Sequence, residues 1–183
     1  MGRVYWHVAM SLDGFIAAPG DDLSWVFELV DADAAIDDAH VAATGAIVMG
    51  RRTFAVEDRD RPGIYGGRFQ GPLFVVTHEP PARAPDWMTA APMDGRFVAD
   101  GVPAAVAAAQ AAAGERNVGL LGAAIARQAV EAGLLDEVMV EVAPVLLGDG
   151  VRLFERAGGA PVPLTPVEVV ESPPLTRLRF SVA

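Results

Sequence analysis

The chain contains no cysteine. That excludes a disulfide framework, a thiol nucleophile and any thiolate metal site. Lysine is absent too, since all 14 basic residues are arginine. A P-loop lysine, a Schiff-base lysine and a Ser–Lys dyad are thereby excluded. Serine is scarce, at positions 11, 24, 172 and 181, and there is no G-x-S-x-G. Ser-His-Asp hydrolysis therefore has little to rest on. The histidines His7, His40 and His78 show no ligand spacing, which argues against a metal site. Positive charge is short, and the net charge is −10. Broad nucleic-acid binding needs the reverse, a basic surface to neutralise phosphates. Long apolar runs are also missing. The longest stretch free of Asp, Glu, Lys and Arg is the 14 residues Gly101–Gly114, interrupted by Pro103. A membrane span takes about 18–20 apolar residues. The apolar stretch Val4–Leu12 is short, carries His7 and stops at Asp13. It lacks the form of a secretory signal, so a cytoplasmic protein is expected.

What is present suits a single domain over residues 1–183. Hydrophobic residues make up 52% and charged residues 21%. That is enough to bury a core without staples and to exclude disorder as the main state. Charge is unevenly spread. The balance is −7 over residues 1–50, +2 over 51–83 and −5 over 84–183. A basic island in an acidic chain is a candidate anion site.

Strand and helix signals alternate along the chain. Val4–Met10, Ala46–Met49, Leu73–Val76 and Val118–Leu121 read as strands. Trp25–Ala43 has apolar residues at helical spacing and an acidic face. Alanine-rich Pro103–Ala113 and the segment Gly122–Gly133 read as helices. Ser11–Trp25 reads as a loop, and Pro80–Pro92, with four prolines, as irregular. Arg96–Val98 suits a short strand. Glu137–Ala143 alternates valine with Glu and Met, the pattern of a half-exposed strand near a sheet edge. Val167–Val170 and Leu175–Val182 read as a closing strand pair. The predicted class is α/β: a three-layer αβα fold on a mixed, mostly parallel sheet with an antiparallel C-terminal edge.

Such sheets bind ligands beyond the C-terminal ends of their strands. Gly122, Ala123, Ala124, Ile125 and Ala126 take a strand straight into a helix. The first helix amides lack internal partners, and small side chains let a phosphate approach them. Tight strand–helix packing would use the same residues. Gly50-Arg51-Arg52-Thr53 repeats the pattern with two guanidiniums and a hydroxyl. A plain helix start with exposed arginines is the alternative there. Thr77 and His78 end a neighbouring strand. Three phosphate-friendly ends suggest a dinucleotide with an extra ribose phosphate. The G-x-G-x-x-G fingerprint is missing, and Gly148-Asp149-Gly150 reads as a turn.

Several segments together resemble a known family. Val8-Ala9-Met10-Ser11-Leu12-Asp13-Gly14-Phe15-Ile16-Ala17 resembles the opening strand and loop of the dihydrofolate-reductase-like superfamily. The resemblance is strongest to the branch holding the reductase half of the bifunctional deaminase-reductase of riboflavin biosynthesis. Leu23-Ser24-Trp25, the run Ile47–Phe54, the run Gly133–Val138 and the segment Pro144–Phe154 are similar to that branch, in order. The resemblance implies a mixed sheet of eight strands and an NADPH site. Carried over by position, Ala9 and Ile16 would sit near the nicotinamide. Gly50, Arg51, Arg52 and Thr53 would hold the 2′-phosphate side and the pyrophosphate. Thr77 and His78 would face the adenosine ribose, and Gly122–Ala126 would cradle the pyrophosphate.

Two departures matter. The family's Gly-Gly is Gly122-Ala123 here, at a bond that is cis in dihydrofolate reductases. The acid by which folate reducers hold the pterin is replaced by Val30, so folate reduction is not expected. Asp13 suits either an Asp-Gly turn or a substrate contact. Trp25 and Phe54 suit either a substrate wall or the core. No residue stands out as a general acid.

The resulting expectation is an NADPH-dependent oxidoreductase. It would transfer hydride to a small heterocyclic or carbonyl-containing substrate other than dihydrofolate. The alternative is a catalytically silent NADP(H)-binding sensor or interaction module. A homodimer is expected, through Val138–Val142 and the apolar segment Ala143–Leu147, with no nucleic-acid or membrane partner.

Overall fold

The computed structural model describes residues 2–29 and 38–183. The elements in order are β1 (Val4–Ser11), β2 (Phe15–Ala17), α1 (Ser24–Leu29), α2 (Asp38–Ala43), β3 (Thr44–Gly50) and α3 (Arg51–Asp60). Then come β4 (Pro72–Val76), α4 (Asp86–Thr89), β5 (Asp94–Val98), α5 (Gly101–Ala113), β6 (Asn117–Leu121) and α6 (Ala123–Glu131). The chain closes with β7 (Glu137–Ala143), β8 (Val151–Arg152), β9 (Leu164–Ser172) and β10 (Leu175–Val182).

Eight strands form one sheet in the order β5-β4-β3-β6-β1-β7-β10-β9. All pairings from β5 to β7 are parallel, and β10 pairs antiparallel with both β7 and β9. This is the predicted class, with the dihydrofolate-reductase-like arrangement. Alternation along each strand feeds two core layers. Ala46 and Val48 of β3 join a cluster with Val102, Ala105, Val106 and Ala109 of α5 and Ile125 of α6. Ile47 and Met49 join Phe54 of α3 and Met88 of α4 on the other face. The alanines let α5 lie close to the sheet. A Cβ on Gly45 would come 2.7 Å from the Ala113 Cβ.

The helix read over Trp25–Ala43 is described at its two ends, as α1 and α2, and residues 30–37, Val30 among them, lie outside the described residues. Three expectations change. The loop after Ser11 contains β2, which pairs with β8. The proline-rich segment holds the one-turn helix α4, seated between Pro85 and Pro92. Proline is tolerated just ahead of a first turn, so the helix fits between the two rings. Finally, β7 is no edge. It lies between β1 and β10, and both its acids are buried. Arginines from neighbouring segments neutralise them: Arg3 and Arg179 at Glu137, and Arg177 at Glu141. The Val138–Val142 strand therefore offers no free edge to a second chain. Among the described residues no helix is long and apolar enough to cross a membrane.

Candidate functional site

The strand ends that matter are C-terminal ends on one side of the sheet. β3 runs into Gly50 and α3 begins at once, with no side chain capping its first amides. β6 runs into Gly122, at φ 99°, and α6 begins equally uncapped. Orphan amides at a helix start carry partial positive charge. The two starts touch. A Cβ on Gly122 would lie 2.5 Å from Thr53 Oγ1, and a Cβ on Gly50 would lie 3.3 Å from Ile125 Cγ1. Glycine at both positions keeps the backbones bare where they meet. The Gly122–Ala123 bond is trans, unlike Ala91-Pro92 and Pro173-Pro174.

These ends open into one cleft of about 1220 Å³. Ala9, Ile16, Gly50, Arg51, Arg52, Thr53, Thr77, His78, Gly122, Ala123, Ala124 and Ile125 all line it. Ala126 does not. It is fully buried beneath the cleft, with its N–H donating to the Gly122 carbonyl at 3.1 Å. Arg52 crosses the mouth to Asp21, with Nη2 to Oδ1 at 2.5 Å and Nε to Oδ2 at 3.1 Å. Arg51 lies over the Phe54 ring, 5.5 Å from its centroid. It makes no ion pair among the described residues. The Thr77 hydroxyl is engaged in its own turn, with Glu79. His78 stands exposed on the rim. Among the described residues no group of three His, Asp or Glu side chains could hold a metal ion.

The three expected substrate residues are not brought into the cleft. Asp13 is a structural clip. Its Oδ1 accepts from the Ser11 hydroxyl at 2.6 Å and the Leu147 N–H at 3.0 Å, and its Oδ2 accepts from the Gly148 N–H at 2.6 Å. The Ser11 hydrogen bond first, and the two amides with it, hold the carboxyl down at about 2. Phe54 is stacked on Trp87 with ring centroids 5.6 Å apart. Helical spacing explains it. Thr53, Val56 and Glu57 form the stripe of α3 that faces the cleft, and Phe54 points a hundred degrees away, into the core. Trp25 likewise packs on Ala143 and Leu175, while its neighbours Val26 and Phe27 line the cleft.

A second set of lining residues went unread in the sequence: His7, Val26, Phe27, Val56, Glu57 and Tyr65. His7 is buried on the face of β1 that carries Tyr5 and Ala9. Its Nε2 lies 3.8 Å from Glu141 Oε1. That same oxygen accepts from Arg177 Nε at 2.5 Å. Tyr65 meets the imidazole edge-on, with centroids 5.5 Å apart. Burial pushes the Glu57 carboxyl up to about 7, against a smaller downward pull from Arg61. Burial also raises the phenol of Tyr65 well above its ordinary value. The signal in the sequence was faint. It consisted of a histidine inside an apolar strand and a glutamate inside a valine strand, and strand pairing alone joins them.

The model for the RibD C-terminal domain matches residues 3–174. The chain belongs to the RibD C-terminal domain family. The match spans the sheet from β1 to β9 and every strand end that lines the cleft. Solved structures share the fold. A Shewanella sp. PV-4 protein named for riboflavin biosynthesis has a TM-score of 0.78 at 22% identity, with 99% of each chain covered. Acinetobacter baumannii RibD gives 0.74 at 20% identity, covering 100% of this chain and 58% of its own. Saccharomyces cerevisiae riboflavin biosynthesis reductase Rib7 gives 0.59 at 14% identity, covering 100% of this chain and 90% of its own. No curated protein matches the chain by sequence.

Proposed function

We propose that this RibD C-terminal domain protein is an NADPH-dependent reductase. Its substrate is a small heterocyclic or carbonyl-containing molecule other than dihydrofolate. One observation carries the reading: two uncapped helix starts and two arginines converge on a single cleft. Amides at Gly50–Thr53 and Gly122–Ala124 suit phosphate groups, and the Arg51 and Arg52 forks suit a ribose 2′-phosphate. When bound, the reduced nicotinamide supplies hydride. The chain's own part is to hold phosphates on one side and to wall the substrate with Val26, Phe27 and Val56 on the other. A homodimer remains part of this reading. Light scattering that gives a 19.1 kDa particle would remove it.

Two of the solved structures bear names from riboflavin biosynthesis. Another, from Thermotoga maritima, is named a diaminohydroxyphosphoribosylaminopyrimidine deaminase/5-amino-6-(5-phosphoribosylamino)uracil reductase. Aminopyrimidine sugar phosphates therefore head a panel that also holds pterins and quinones. Stopped-flow loss of NADPH absorbance is expected with at least one member. Flat traces throughout, with tight NADPH binding, would turn the reading into that of a silent binding module.

A further inference from the structure

We propose that His7 is the catalytic acid that protonates the substrate, with Glu141 and Arg177 as its positioning residues. This rests on the reductase reading above. Hydride addition to a C=N or C=O carbon sends the π pair onto the heteroatom, which then needs a proton. Three side chains on the substrate half of the cleft carry one: Tyr65, Glu57 and His7. Tyr65 is too weak an acid, because burial strengthens its hold on the phenolic proton. Glu57 has no hydrogen-bonded frame among the described residues to aim it.

His7 has the geometry. It is 7% exposed, and it lines the cleft. Its Nε2 is buried without a hydrogen-bond partner among the described residues. Buried polar nitrogens are rarely left unpaired, so a ligand heteroatom is what this one fits. Ala9 lies two residues further along the same strand face, about 7 Å on. His7 therefore stands one side-chain step from the position given above to the nicotinamide.

The frame beside Nε2 is rigid. Glu141 is fully buried on β7, and its Oε1 lies 3.8 Å from that nitrogen, outside hydrogen-bond distance. Arg177, buried on β10, fixes that carboxylate at 2.5 Å. Tyr65, from the loop after α3, presses on the ring edge. Glu57 on α3 and Tyr5 on β1 are the other titratable groups facing this corner.

The step balances. The hydride pair forms the new C–H bond, and the nicotinamide is oxidised by two electrons. The Nε2–H bond of His7 breaks, its proton joins the heteroatom, and water returns a proton to the imidazole. A substrate must accordingly present an acceptor nitrogen or oxygen at its reducible bond.

Two measurements test this. The first is ¹⁵N NMR of the imidazoles in the full chain without cofactor. His7 should carry a proton on Nε2, the atom from which it is to be donated, and Glu141→Gln should shift the Nε2 resonance. A His7 ring with its proton on Nδ1 alone, or an Nε2 resonance that ignores Glu141→Gln, overturns the proposal, whatever turns over. The second uses NADPH with the panel compound the protein reduces. His7→Gln should lower kcat by about 10²–10⁴-fold and leave NADPH affinity unchanged. It should also abolish the fall of kcat/KM on the alkaline side. Millimolar imidazole should restore rate to His7→Ala, which a merely structural histidine would not allow. Near-full kcat in His7→Gln, or an alkaline fall abolished by Glu57→Gln instead, overturns the proposal while the reductase reading stands. Flat traces with the unaltered protein overturn both.

Discussion

Gly122 is where backbone geometry and chemistry meet most tightly. Its φ of 99° is a conformation that side-chain-bearing residues rarely adopt, and a Cβ would drive into the Thr53 hydroxyl. Gly122→Ala should therefore cost about 1–3 kcal/mol in chemical denaturation and weaken NADPH binding as well. Unchanged stability would mean that the two helix starts do not abut. Glu57 gives a pH signature. Burial lifts its carboxyl from 4.5 to about 7, so the folded chain holds that proton more tightly than the unfolded one. The linked stability is fully present below the unfolded value and is lost as pH rises through about 7. The melting temperature should fall between pH 5 and 8 relative to that of Glu57→Gln. A difference between the two that does not vary with pH would contradict the assignment. Asp13 has the opposite sign. Its hydrogen bonds add stability that is present above 3.8 and lost as pH falls through about 2.

Among the elements, α5 shows how alanine builds a layer. Ala105, Ala109 and Ala113 are buried against strands that carry Val48, Phe74 and Leu120. No room is left for branching, so Ala109→Leu should destabilise by about 1–3 kcal/mol, read from the denaturation midpoint. Most elements were legible in the sequence, because apolar runs of four or five residues and alanine-rich stretches report directly on burial. β7 departs from its sequence pattern for a physical reason. Alternation with glutamate normally marks water on one face, but here Arg177 and Arg179 arrive from a strand some 36 to 42 residues later to bury both acids. The cleft divides in the same way. The lining residues at the two helix starts, to which phosphates are assigned in the proposal, were legible because strand, glycine and helix start are contiguous in sequence. The His7, Glu141 and Arg177 corner was not, since three separate strands assemble it. Phe54 and Trp25 were separable from their cleft-lining neighbours only once the helical phase was known.

For the molecule as a whole, the account turns on local positive character within an acidic chain of net charge −10. Long-range attraction of an anionic dinucleotide is not available, so affinity must come from amides and guanidiniums at short range. Screening by salt should accordingly weaken binding through the contacts themselves, with little loss of a steering field. The most direct test is titration calorimetry of NADPH and NADH against the unaltered chain and the Arg51→Ala/Arg52→Ala pair. The account predicts one NADPH per chain in the unaltered protein, and a loss in the double variant that is far greater for NADPH than for NADH. An absence of heat with either nucleotide, or an equal loss for both, would contradict it.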